Sequence, residues 1–221
     1  MNLKSQYASI TMTQEIFHSS LPLHLESGEV LPEFDLGYTT YGQLNSDPAN
    51  HFIICANLLG SCYGSTQPFS ENPKTSKPYY YDFPQMTTRD MAQGLERLRI
   101  HLKIDTIHSL IGGSLGGQVG LEWAYELGIK LKNAIILAST SKSRPWVVGF
   151  NETQRMAIES DCTWGECKED AGQKGLETAR AIAMLTYRHP NDLATKQADP
   201  ENKLDNYRAS SYLRYQGQKL A

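Results

Sequence analysis

Residues 106–128 read Thr-Ile-His-Ser-Leu-Ile-Gly-Gly-Ser-Leu-Gly-Gly-Gln-Val-Gly-Leu-Glu-Trp-Ala-Tyr-Glu-Leu-Gly, and this stretch restricts the fold more than any other. Ile107 to Ile111 is a β-rich apolar run. Leu115 to Leu127 has a helical pattern that stops at Gly128. Between them Gly112-Gly113-Ser114-Leu115-Gly116 matches G-x-S-x-G in the strand–turn–helix setting that pattern requires. A turn that tight strains the Ser114 backbone and packs its neighbours against strand and helix. Small residues at 112, 113, 116 and 117 are expected to relieve the crowding. The turn would lift the Ser114 hydroxyl above the sheet. It would also leave the Leu115 amide at the helix N-terminus, placed to stabilise an oxyanion. The plain alternative is a Gly-rich turn with an incidental serine; the flanking strand and helix favour the nucleophile.

The chain has 221 residues, 40% apolar and 20% charged, which suits a folded α/β core. A net charge of -3 without a basic run argues against a nucleic-acid partner. No apolar stretch reaches the length of a membrane span. Met1 to Tyr7 lacks the apolar core of a secretory signal, so the cytoplasm is the expected location. The four cysteines have no C-x-x-C spacing and no clustered histidine, which argues against a metal site. Cys55 lies in an apolar run and is expected as a buried small hydrophobe.

Residues 1–42 read as an antiparallel β start. Leu21 to Leu25 and Val30-Leu31 flank a turn at 26–29, and Phe34 to Gly42 alternates. Gln43 to His51 is polar and turn-rich. Phe52 to Ala56 reads as a buried parallel strand, followed by a Gly- and Ser-rich loop from Asn57. The Pro- and Tyr-rich segment 72–84 is expected to pack through its aromatics. Thr87 to Asp90 resembles a helix cap, with Met91, Leu95, Leu98 and Leu102 on one face of the helix that follows. Ala134 to Ala138 is the next buried strand. The alternation predicts an α/β fold with a mostly parallel sheet and flanking helices. Beyond it come a helix from Asn151, an acidic loop at 162–175, and a helix at 175–187 with Leu176, Ala179, Ala183 and Tyr187 near one face. A polar linker begins at Asp199. Residues 1–145 are therefore expected to form the core, and 146–221 a helical cap segment.

Asn57-Leu-Leu-Gly-Ser61, Gly64-Ser-Thr66, Asn72-Pro-Lys-Thr75, Phe83-Pro84, Thr88-Arg-Asp90, Gly112 to Gln118, Leu121-Glu-Trp-Ala124 and Ala179 to Arg188 together resemble the homoserine O-acetyltransferases. The resemblance covers nearly the whole chain, as a shortened member. It implies an α/β-hydrolase-like fold and a double displacement. Ser114 would take the acetyl group from acetyl-CoA, the co-substrate, and pass it to the hydroxyl of L-homoserine in methionine biosynthesis. It further implies that Arg180 and Tyr187 contact the amino-acid substrate, Arg180 through a bidentate fork on the carboxylate. Asn57 and Gly60 would shape the loop near the acyl site. No permanently bound cofactor and no metal is implied; a homodimer through the cap is within its scope.

The chain also departs from that family. The triad order in this fold is Ser, then Asp or Glu, then His. After Ser114 the only histidine is His189, and it does not match the family's catalytic position. Asp161, Asp170, Asp192, Asp199 and Asp205 match no catalytic position either, so triad Asp and His are not present. The strand and loop that carry a second oxyanion donor have no counterpart between Gly42 and Phe52. Gln67 and Ser76 stand where the family favours Gly. Lys74, Lys77, Lys142 and Arg144 could meet a CoA pyrophosphate, although solvated cations explain each as well. The competing readings are a homoserine O-succinyltransferase or serine hydrolase of the same fold, and a non-catalytic fragment or one half of a split enzyme.

Overall fold

The computed structural model describes residues 12–42 and 51–220. Expectations for residues 1–11 and 43–50, including the strand and loop missing before Phe52, lie outside the described residues. The chain divides into two compact units, Met1–Ser141 and Lys142–Ala221.

In the first unit the alternation of Phe34–Tyr41 (β4) buries Phe34, Leu36 and Tyr38. β4 pairs antiparallel along its whole length with Met12–Ser19 (β1), from Met12 opposite Tyr41 to Ser19 opposite Phe34. Its other side pairs, also antiparallel, with Ile53–Ala56 (β5). Leu23–His24 (β2) and Val30–Leu31 (β3) form the expected hairpin. Gly28 closes the turn between them at φ 87°, a conformation that favours glycine. Phe17, Leu23, Leu31, Phe34, Leu36 and Leu59 form the core with Ala92 and Leu98 of Thr88–His101 (α1). Each Phe or Leu side chain among them contributes roughly 1.5–3 kcal/mol on full burial.

The capping expectation for α1 holds in detail. Thr87 Oγ1 accepts the Asp90 amide, and Asp90 Oδ2 accepts the Thr87 amide at 2.8 Å. Asp90 is fully buried, and its Oδ1 also accepts the Glu26 amide at 3.0 Å, tying the hairpin to the helix. Asp90→Ala removes the buried acceptor of the Thr87 and Glu26 amides and is expected to cost about 2 kcal/mol, read from the urea unfolding midpoint.

Ile107–Gly113 (β8) and Leu131–Leu137 (β9) pair in parallel, from Ile107 opposite Leu131 to Gly113 opposite Leu137. Leu115–Leu127 (α2) crosses between them and packs on both. The α/β class stands. Among the described strands, however, parallel pairing is confined to β8 and β9, and every other pair is antiparallel. The 52–56 run, expected as a buried parallel strand, is the antiparallel β5, and Ile53 and Cys55 are exposed. Only one edge of β5 is paired among the described residues, so an apolar run does not suffice for burial. The same holds for β9. Ile136 lies under α2, beside Gly120, whereas Ile135 and Leu137 are exposed because nothing among the described residues covers the opposite face. The Pro- and Tyr-rich segment forms a small hairpin, Glu71–Asn72 (β6) with Lys77–Pro78 (β7). Of its aromatics, Tyr79 is buried and meets Phe83 edge-on at 5.5 Å, whereas Tyr81 is exposed. Ser76 in this hairpin has φ 52°, a left-handed conformation that explains why glycine suits the position better.

The second unit is helical among its described residues: Pro145–Glu159 (α3), Gln173–Thr186 (α4), Pro190–Lys196 (α5) and Arg208–Leu220 (α6). The helix expected from Asn151 starts at Pro145, which takes the first helical position where its missing N–H costs nothing. Helix α5, not expected from the sequence, repeats the device with Pro190 after the N-cap His189. α4 packs between α3 and α6 by close backbone approach. A Cβ on Gly175 would lie 2.7 Å from the Ala157 carbonyl oxygen, and one on Gly217 2.5 Å from that of Glu177. Ala179 and Ala183 are buried as expected, but Leu176 and Tyr187 are exposed, because the seam follows the small residues.

Asp161 holds the turns expected as an acidic loop at 162–175. Its carboxylate accepts the Thr163 amide, the Thr163 hydroxyl and the Gly175 amide. The Thr163 amide leads the causes that lower its pKa from 3.8 to about 2. A depressed carboxylate stabilises the fold above its unfolded value, and that contribution is lost as the pH falls through the folded value. The advantage of wild type over Asp161→Asn in thermal midpoint is therefore expected to hold above pH 3.8 and to vanish by about pH 2.

Candidate active site

The bend between β8 and α2 is the tight turn predicted around Ser114. Ser114 sits at φ 52° and ψ -122°, a region that strains a residue with a side chain by on the order of 1–3 kcal/mol. Its side chain is exposed. Its amide donates to the Leu137 carbonyl at 3.0 Å, which fixes the bend to the end of β9. Its carbonyl accepts from the amides of Gly117 and Gln118, starting the helix. The Leu115 amide has no acceptor among the described residues, as expected of a helix start.

The crowding is narrower than the sequence implies. A Cβ on Gly112 would lie 2.3 Å from the Gly116 carbonyl oxygen, and one on Gly117 2.6 Å from Ser139 Cβ. At Gly116 nothing lies within 4 Å, and at Gly113 the nearest atom is at 3.7 Å. Glycine at 116 and 113 is thus not required by space. At Gly120 a Cβ would meet the end of the Leu110 side chain, Cδ2, at 2.8 Å, so that side chain would have to shift.

The loop after β5 is stitched to the part of β4 that β5 does not reach. Ser65 Oγ accepts the Gly37 amide and Thr66 Oγ1 the Asp35 amide, at 3.1 and 2.7 Å. The two hydroxyls stand in for a missing ladder partner, and Gly64-Ser-Thr66 was the available signal. Asn57 donates from its own amide to the Gly37 carbonyl and from Nδ2 to the Tyr63 carbonyl. Gly60 turns the loop at φ 84°. Both shape the loop.

In the second unit Arg180 and Tyr187 come together, with Arg180 Cζ 5.7 Å from the centroid of the Tyr187 ring. Tyr187 is 67% exposed. Arg180 Nε is buried and has no hydrogen-bond partner among the described residues.

The other acids and the histidine have local roles. His189 Nδ1 accepts the Asn191 amide as the cap of α5. Asp192 pairs with Lys196, and Asp199 with Lys203. Asp205 accepts the Asn206 amide, and Asp170 is exposed. Ser114 Oγ hydrogen-bonds to none of them, nor to any histidine among the described residues. Lys74 and Lys77 are exposed in the β6–β7 hairpin, and Arg144 precedes α3 as its N-cap.

A serine on a strained strand-to-helix bend, above a parallel strand pair crossed by a helix, defines an α/β-hydrolase-type protein. The alpha/beta hydrolase fold family matches residues 37–212. A homoserine O-acetyltransferase of Cyclobacterium marinum is 56% identical, and the match covers 100% of this chain and 72% of that protein. A homoserine O-succinyltransferase of Hydrogenovibrio crunogenus is 34% identical over 95% of this chain and 68% of that protein. The crystal structure of a homoserine O-acetyltransferase from Bacillus anthracis, at 20% identity, superposes with a TM-score of 0.84 over 95% of this chain and 71% of its own; this likeness speaks for the fold. The chain belongs to the homoserine O-acetyltransferase family. The match to the Cyclobacterium protein runs over 253 positions against 221 residues here, so that relative has internal residues without a counterpart in this chain. No helix among the described residues is long and apolar enough to cross a membrane.

Proposed function

We propose that this chain moves an acetyl group from acetyl-CoA to the hydroxyl of L-homoserine through an acyl-serine on Ser114. The observation that carries the proposal is the exposed Ser114 at φ 52° and ψ -122°, held at the N-terminus of α2. The Leu115 amide is the oxyanion donor. Arg180, beside the Tyr187 ring, takes the homoserine carboxylate, and Asn57 and Gly60 shape the loop of the acyl site. Self-association through residues 146–221 and a cytoplasmic location belong to the same proposal; sedimentation velocity tests the first.

The test is CoA release from acetyl-CoA and from succinyl-CoA, each with and without L-homoserine. Release that needs both acetyl-CoA and homoserine is the expected result. A preference for succinyl-CoA changes the donor, and equal ester hydrolysis without homoserine replaces the transferase with a hydrolase. Arg180→Lys removes the bidentate fork and is expected to raise the homoserine KM about 10- to 100-fold with the acetyl-CoA KM unchanged.

One observation favours a second reading, in which the chain carries the acyl site without its base: Ser114 Oγ contacts no histidine among the described residues. An unactivated serine is a weak nucleophile. Absence of both CoA release and fluorophosphonate labelling would establish this reading.

A further inference from the structure

We propose that Ser139 is a positioning residue that strengthens the oxyanion donor through the peptide joining Ser114 to Leu115. The inference rests on Ser114 as acyl carrier and the Leu115 amide as donor. The carbonyl of Ser114 and the N–H of Leu115 belong to one planar, conjugated unit. That carbonyl accepts three hydrogen bonds: from the Gly117 amide at 3.0 Å, the Gln118 amide at 3.1 Å and Ser139 Oγ at 2.8 Å. The first two are the ordinary start of a helix. The third comes from another element, the segment that leaves β9.

Three features bring Ser139 there. The Ser114 amide is bonded to the Leu137 carbonyl, so the end of β9 is fixed to the bend. Ala138 follows at φ 46°, a left-handed conformation costly for any residue with a Cβ, and turns the chain back over α2. Gly117 leaves the space that Ser139 occupies, since a Cβ on it would lie 2.6 Å from Ser139 Cβ. A strained alanine and an obligatory glycine thus converge on one hydroxyl.

A donor on the carbonyl draws electron density from the peptide nitrogen and makes its N–H a better donor. It also holds the peptide plane, and with it the direction of the Leu115 N–H. Hydrogen bonds in such chains strengthen one another by about 10–30%. A complete oxyanion donor is worth about 10²–10³ in rate. Losing that fraction of it corresponds to a rate about two- to eightfold lower. Ser139 forms no bond to the acyl group; it acts only through the peptide.

The experiment compares wild type, Ser139→Ala and Ser139→Thr by the amide ¹H and ¹⁵N shifts of Leu115 in the full chain, alongside the fluorophosphonate labelling rate of Ser114. Ser139→Ala is expected to move the Leu115 amide toward a weaker donor and to slow labelling about two- to eightfold, with the probe concentration at half-saturation unchanged. Ser139→Thr, which keeps the hydroxyl, is expected to restore both. An unmoved Leu115 amide in a folded Ser139→Ala protein overturns the proposal, as does a moved amide with unaltered labelling. If Ser139→Ala does not fold, Ser139→Cys, with its weak S–H donor, is expected to give the same changes at smaller size, and their absence overturns the proposal equally. If wild-type Ser114 takes no label, the acyl-carrier reading fails, and the oxyanion role of Ser139 is overturned with it. The Leu115 shifts then report only whether the peptide coupling exists.

Discussion

Ser114→Ala is expected to abolish fluorophosphonate labelling and homoserine-dependent CoA release together, a loss of at least ~10³-fold. The reasoning is chemical. Covalent catalysis splits acyl transfer into two steps through one oxygen, and the other residues of the turn, Gly112, Gly113, Leu115 and Gly116, bring no nucleophile. Folding should not suffer, because the Ser114 contacts that hold the bend are made by its amide and carbonyl. Alanine in the same strained conformation keeps both. Loss of labelling at an unchanged thermal midpoint would locate the nucleophile. Persistent labelling would place it elsewhere, and the acyl-serine assignment would fall.

Gly112→Ala is the second large effect, and it acts on the fold. Its Cβ would lie 2.3 Å from the Gly116 carbonyl oxygen and 2.9 Å from the Gly117 nitrogen. These are backbone atoms of the first helical turn, which cannot swing aside as a side chain can. The bend has to open, breaking the bonds from Gly117 and Gln118 to the Ser114 carbonyl. The expected cost is about 3 kcal/mol or more, seen in the urea midpoint, with labelling lost as the geometry goes. Gly116→Ala is the control, because nothing lies within 4 Å of its added methyl. Equal damage from both substitutions would show that the effect comes from glycine content and not from the close contact at 112.

Features decided by neighbours in sequence were legible. The cap at Thr87 and Asp90 is one such case: three residues apart, they satisfy one another whatever the rest of the chain does. The hairpin at 26–29 is another, and so is the bend at Ser114. The proline starts of α3 and α5 were equally local, at Pro145 and Pro190, and could have been read. The burial of β5 and β9 was not legible, because an apolar run records what a strand can tolerate and not whether a second layer covers it. Nor was the exposure of Cys55.

The sequence by itself determined the bend, the serine placed on it and the family, because a strained turn needs particular residues at adjacent positions and tolerates few others. Only the tertiary structure decided which glycines were obligatory, how Ser65 and Thr66 replace a ladder partner on β4, and that Ser139 reaches the Ser114 carbonyl. These depend on which atoms from separate parts of the chain come into contact, which packing sets and no local pattern encodes.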